Sequence, residues 1–155
     1  MKKKTLLIVR IILCILTVTV VLFIFINSLL DADLSTNQSA GVREFINSLL
    51  HSLNIPITFS EIFIRKCAHF TEYFVLGTLL FFTVKSFVIV LDNRMMYVLP
   101  IGLVIASIDE TLQLFSFGRS GQISDVMLDF SAVFTAFLIM LITSLCKVKK
   151  RKEGQ

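Results

Sequence analysis

Residues 62–84 read IFIRKCAHFTEYFVLGTLLFFTV. The stretch is long and apolar enough to cross a hydrocarbon core, which takes about 20 residues of helix. Arg65, Lys66, His69 and Glu72 nevertheless sit inside it. A charge near the centre of a bilayer costs about 2.5–3.5 kcal/mol on insertion scales, so a chain that keeps several must pair them or use them.

Working outward, three further apolar runs of similar length extend over roughly Leu6 to Ile26, Met95 to Phe117 and Asp125 to Cys146. Of the 155 residues, 55% are hydrophobic and the mean hydropathy is +0.85, far above what a soluble domain needs for its core. The expected fold is therefore an all-α, polytopic integral membrane protein with four transmembrane helices in a compact bundle. Residues 1–155 form a single membrane domain, with almost nothing left over for a soluble catalytic unit. The basic start followed by an apolar run is also the layout of a secretory signal. Such a signal has a core of about 7–15 residues and a small-residue cleavage site; a run from Leu6 to Ile26 without that site reads as an uncleaved anchor.

The net charge of +4 is unevenly spread. Lys2, Lys3, Lys4 and Arg10 lie at one end and Lys147, Lys149, Lys150, Arg151 and Lys152 at the other, while Asp31, Asp33, Glu44 and Glu61 outnumber Arg43 between the first two runs. The positive-inside rule then predicts both termini in the cytoplasm, an even number of spans, residues 27–61 as an extracellular loop and 147–155 as a basic cytoplasmic tail. The tails read as anchors against anionic lipid, not as nucleic-acid patches. Cys14, Cys67 and Cys146 lie in apolar runs and are odd in number, so no disulfide framework is implied.

Within the 27–61 loop, Asp31 to Gln38 is polar and turn-like. Phe45, Ile46, Leu49, Leu50 and Leu53 then fall at helical spacing, which predicts an amphipathic interfacial helix over about 42–53, ending before Pro56.

On the second span Arg65, His69 and Glu72 share one face, flanked by Lys66 and Tyr73; on the third, Asp109, Glu110 and Gln113 are neighbours; on the fourth, Asp125 and Asp129 are one turn apart. At a rise of about 1.5 Å per residue, His69, Glu110 and Asp129 lie at similar depth from the same membrane face, with Glu72 about one turn deeper. With Arg119 in the following turn, the set holds two more carboxylates than Lys and Arg can balance. A protonated His69, a carboxylic acid kept neutral by burial and a bound cation are three ways to compensate them.

Several readings fit this cluster. It can be a structural network of modest polar glue between helices. It can be acid–base machinery, with His69, Glu72, Asp109 and Glu110 handling protons and Arg65, Lys66, Tyr73, Gln113, Arg119, Asp125 and Asp129 binding an anionic ligand. It can be a proton-coupled carrier, although broken helices and repeat symmetry are missing. A carboxylate-rich metal core is a fourth reading, but a single histidine argues against zinc or iron, and the sequence assigns no metal and no cofactor. No Gly-rich phosphate loop or Ser nucleophile elbow is present.

Taken together, Arg65-Lys66-x-Ala68-His69-Phe70-x-Glu72-Tyr73-x-x-Leu76-Gly77, Asp109-Glu110-x-x-Gln113-x-Phe115-x-x-Gly118-Arg119 and Asp125-x-x-x-Asp129 resemble the VanZ-like family over a core of about 60–146. Phe117 stands where that family commonly has Pro, and Ser131 and Ala132 where it has Gly. The resemblance implies a bacterial cell-membrane protein linked to reduced susceptibility to teicoplanin, a lipid-tailed glycopeptide. It also implies membrane lipids, a lipid-linked cell-wall precursor or a lipoglycopeptide as partners. The contrasting expectation is a non-catalytic interaction protein whose polar cluster only holds the bundle together.

Overall fold

The computed structural model describes residues 3–30, 32–88, 93–117 and 121–153. Five α-helices follow one another among them: α1 (Lys3–Ser28), α2 (Ala32–Ser52), α3 (Glu61–Phe87), α4 (Val98–Gln113) and α5 (Ile123–Glu153), with a 3₁₀ turn at Asn93–Tyr97 before α4. Four segments are long and apolar enough to cross a membrane: Lys3–Ser28, Glu61–Phe87, Met95–Gln113 and Ile123–Lys147. The chain is thus an all-α, multi-pass membrane protein. Large apolar side chains point outward along every span, among them Ile15, Ile26, Val104 and Ile142. Such a belt suits lipid contact, since hydrocarbon is as good a solvent for these groups as a protein core.

Helix α3 is the hub, packing most extensively against α5 and next against α1. Small residues set how closely the helices approach. A Cβ placed on Gly77 would lie 2.9 Å from Val133 Cα, and one on Gly102 would lie 2.6 Å from Val133 Cγ1. Val133 of α5 therefore fits as a knob between a glycine of α3 and a glycine of α4. Ala106, Ala132 and Ala136, all fully buried, extend the same seam. Close backbone approach through small residues replaces the hydrophobic drive that lipid removes. The glycines that permit it sit on α3 and α4, so Ser131 and Ala132 on α5 are no obstacle. On either side of the seam Tyr73, Leu76, Phe81, Val98 and Phe137 fill the core.

The helix ends follow from local chemistry. Ser60 caps α3, its Oγ accepting from the Phe63 N–H at 3.3 Å. At the end of α2, Asn54 adopts φ 55°. The Asn54 N–H donates to His51 O and the Ile55 N–H to Leu50 O, both at 3.0 Å. That is a Schellman closure with Asn in the left-handed position. Pro56 follows, where a helix cannot continue.

Helix α2 begins ten residues earlier than the apolar spacing predicts, at Ala32. The segment 32–38, expected as a turn, is helical, because polar residues with no Gly or Pro among them do not end a helix. The link to α3 is clamped by Asn47, whose amide donates to Phe59 O at 3.2 Å while its carbonyl accepts from the Phe59 N–H at 2.9 Å. Phe59 and Phe63 stack beside this clamp, with ring centroids 4.9 Å apart.

Candidate functional site

The polar residues gather at the end of the bundle where α1 and α4 finish and α3 and α5 begin. Asp109, in the penultimate turn of α4, is fully buried. Its Oδ1 accepts from the Ser28 hydroxyl at the end of α1, and Gln113 Nε2 approaches Oδ2 at 3.5 Å. Ser116 completes the tie by donating its hydroxyl to Ser28 O at 2.7 Å. The end of the most peripheral span is fastened to the end of α4 by polar bonds, because lipid gives apolar faces no reason to associate.

His69 of α3, Asp109 of α4 and Asp129 of α5 come to one point, each offering a ligand atom within 4.8 Å of the others. The Gly77 and Gly102 contacts with Val133, two turns after His69 on α3, two turns before Asp109 on α4 and one turn after Asp129 on α5, hold the three helices close enough for this. Tyr73, one turn from His69 and fully buried, is within electrostatic reach of Asp109 and Asp129. Glu72 is half-buried on the neighbouring face, close to Asp109 and to the Asn27 side chain.

Depth along the chain matched His69 with Glu110 and Asp129; in three dimensions Asp109 takes the central place. Adjacent helical residues point about 100° apart, so Asp109 and Glu110 cannot both face α3. Glu110 turns toward α5, where its Oε1 accepts from the Gln122 N–H at 2.5 Å. It also lines a small cavity of about 210 Å³ with Ser107, Thr111, Leu114 and Gln122.

Lys66 reaches across to Asp125, Nζ to Oδ1 at 2.8 Å, and both side chains stay partly exposed. Arg65 is half-buried and forms no ion pair among the described residues. Arg119 and the turn 118–120 lie outside the described residues. Among the described residues, no lysine or arginine pairs with Asp109 or Asp129. Asp109 and Asp129 are thus two buried carboxylates that no described lysine or arginine offsets.

Asn27, Ser28 and Ser116 belong to the site and were not singled out by sequence. Asn27 and Ser28 read as the first polar residues after an apolar run, a loop signal. The apolar pattern alone does not reveal that Ser28 faces Asp109 and Asn27 faces Glu72.

A groove of about 510 Å³ runs beside the cluster between α1, α2 and α3. Its walls are apolar, from Val20 and Phe23 of α1, Val42 and Ile46 of α2, and Val75 of α3, and Glu72 lines it as a carboxylate. The groove therefore joins a hydrocarbon-lined surface to the edge of the polar site. Two carboxylates and an imidazole at one point can exchange protons or hold a cation.

No curated protein and no solved structure matches the chain. A family model described as VanZ/LLP1 does match, over residues 12–144, so the match reaches back into α1, beyond the core of about 60–146 that carries the sequence motifs. The site at the meeting of α1, α3, α4 and α5 is accordingly built from within the matched region, and the chain belongs to the VanZ/LLP1 family.

Proposed function

We propose that the protein acts in a bacterial cell envelope, with both termini cytoplasmic, where it binds or modifies an anionic, lipid-linked envelope component at the outer leaflet and so lowers susceptibility to teicoplanin-type glycopeptides. The observation that carries this reading is the continuity between the apolar groove and the buried acids: Glu72 borders both. A lipid tail suits Val20, Phe23, Val42 and Ile46, while the headgroup would meet Glu72, His69 and the acids. Lys66, Arg65 and Arg119 would supply cationic contacts to phosphate or carboxylate oxygens. His69, Glu72, Asp109 and Glu110 would handle protons or polarise the ligand. The orientation rests on the basic tails and the acidic 27–61 segment.

The test compares teicoplanin and vancomycin inhibitory concentrations in a susceptible Gram-positive host expressing wild type, His69→Ala and Glu110→Gln, with membrane protein levels measured alongside. A teicoplanin-selective rise that both substitutions abolish at equal abundance is expected. Full retention by both variants would remove the working site. The buried Ser28–Asp109 tie favours a second reading, a structural cluster that fixes helix register. In that case activity and folded protein fall together.

A further inference from the structure

We infer that His69, Asp109 and Asp129 form a binding site for a divalent first-row cation of the Mn²⁺ type, which one imidazole among carboxylates suits and for which Zn²⁺ would compete. This goes beyond the proposed envelope function and does not depend on it. Three helices deliver one imidazole and two carboxylates to a single point, with ligand atoms inside 4.8 Å of one another. Ligand atoms held on one ion by bonds of about 2.0–2.2 Å lie about 3–3.6 Å apart, so side-chain shifts of up to about an ångström close such a triangle. Asp129 supplies the second, independent observation. It is 1% exposed, and its Oδ1 has no hydrogen-bond partner among the described residues. A buried oxygen left this way keeps its full desolvation penalty unless something meets it.

The neighbouring groups sharpen the choice. Asp109 is already oriented by Ser28 on one oxygen and approached by Gln113 on the other, as an outer shell orients a ligating carboxylate. Lys66, one turn from His69 on α3, is taken by Asp125. Glu72 adds negative charge near Asp109 instead of relieving it. A mixed nitrogen and oxygen donor set suits borderline divalent ions better than Ca²⁺ or Cu⁺.

The full-length protein, purified in detergent, is stripped with chelator, titrated with Mn²⁺ and followed by electron paramagnetic resonance, with Zn²⁺ as competitor. Wild type is expected to take up one equivalent, displaced by Zn²⁺, with electron spin-echo modulation from one imidazole nitrogen. His69→Gln should lose that nitrogen signal, and Asp129→Asn should weaken binding by more than about tenfold; the exposed Glu44→Gln should change neither. The inference is overturned if wild type binds no Mn²⁺ or Zn²⁺, if the bound Mn²⁺ shows no nitrogen, or if Asp129→Asn binds as wild type. The nitrogen signal is read on wild type, so the test survives even if a variant fails to fold. Metal uptake without any teicoplanin shift would sink the envelope proposal alone, and a teicoplanin shift in a protein that binds no metal would sink this inference alone.

Discussion

The hydroxyl of Ser28, in the last turn of α1, donates to the carboxylate of Asp109, 81 residues away near the end of α4. Both groups are buried. Most of α1 faces lipid: beyond this residue only Thr17 and Ile24 of the helix are buried. Ser28→Ala is expected to cost about 1.5–3 kcal/mol, the range for a hydrogen bond to a charged group. A drop in thermal midpoint in detergent, larger than for Ser107→Ala on the exposed face of the same α4, is the check. An unchanged midpoint would place the anchoring of α1 elsewhere, for instance in the Thr17–Thr83 hydroxyl pair at 2.9 Å.

The two glycines that receive Val133 should respond differently to repair. Gly102→Ala puts a methyl against Val133 Cγ1, a side-chain atom, whereas Gly77→Ala meets the Val133 backbone. Each alone is expected to destabilise by about 1–3 kcal/mol through overpacking. Adding Val133→Ala should restore much of the loss in Gly102→Ala and little in Gly77→Ala. Equal rescue in the two double variants, by thermal unfolding, would contradict the backbone contact.

Lys66 and Asp125 form an ion pair with side chains 42% and 26% exposed. Pairs of this exposure contribute below about 1 kcal/mol, because water and salt screen them. Lys66→Met should therefore leave the thermal midpoint and protein level nearly unchanged. If Lys66 also holds an anionic ligand, the same substitution should remove the teicoplanin effect. A large fall in stability instead would make the pair structural.

Asn54 occupies the left-handed region at the close of α2. Asn54→Gly should be within a few tenths of a kcal/mol of wild type, whereas Asn54→Val should cost about 1–2 kcal/mol, since a β-branched residue fits poorly at positive φ. Hydrogen exchange at the Ile55 amide, which closes onto Leu50 O, reads the change locally. Equal protection in both variants would argue against the closure.

Apolar length and charge made the four spans legible, and helical spacing exposed the polar stripes. What spacing could not show was which member of each stripe turns inward. Asp109 and Glu110 are adjacent in sequence and equivalent by depth, yet Asp109 joins His69 and Asp129 while Glu110 accepts from the Gln122 N–H, because the side of α4 that packs is chosen by Gly102 and Ala106. The start of α2 was hidden for a related reason: apolar periodicity locates the stripe from Val42 onward and says nothing about a polar turn that stays helical. Ser28 was hidden because a serine at the end of a span looks the same whether it faces water or a partner across the bundle.

The assignment of the site to the outer leaflet can be tested without any ligand. The positive-inside argument places the segment carrying α2 outside and Lys147 inside. In a protein with Cys14, Cys67 and Cys146 replaced by Ala, a new cysteine at the exposed Ser48 should react with a membrane-impermeant maleimide in intact cells. One at the exposed Lys147 should react only after the cells are broken. The reverse pattern would turn the groove and the His69–Asp109–Asp129 cluster toward the cytoplasm. It would remove glycopeptides outside the cell as direct ligands and leave the cation site intact, since that site depends on helix packing and not on which side faces out.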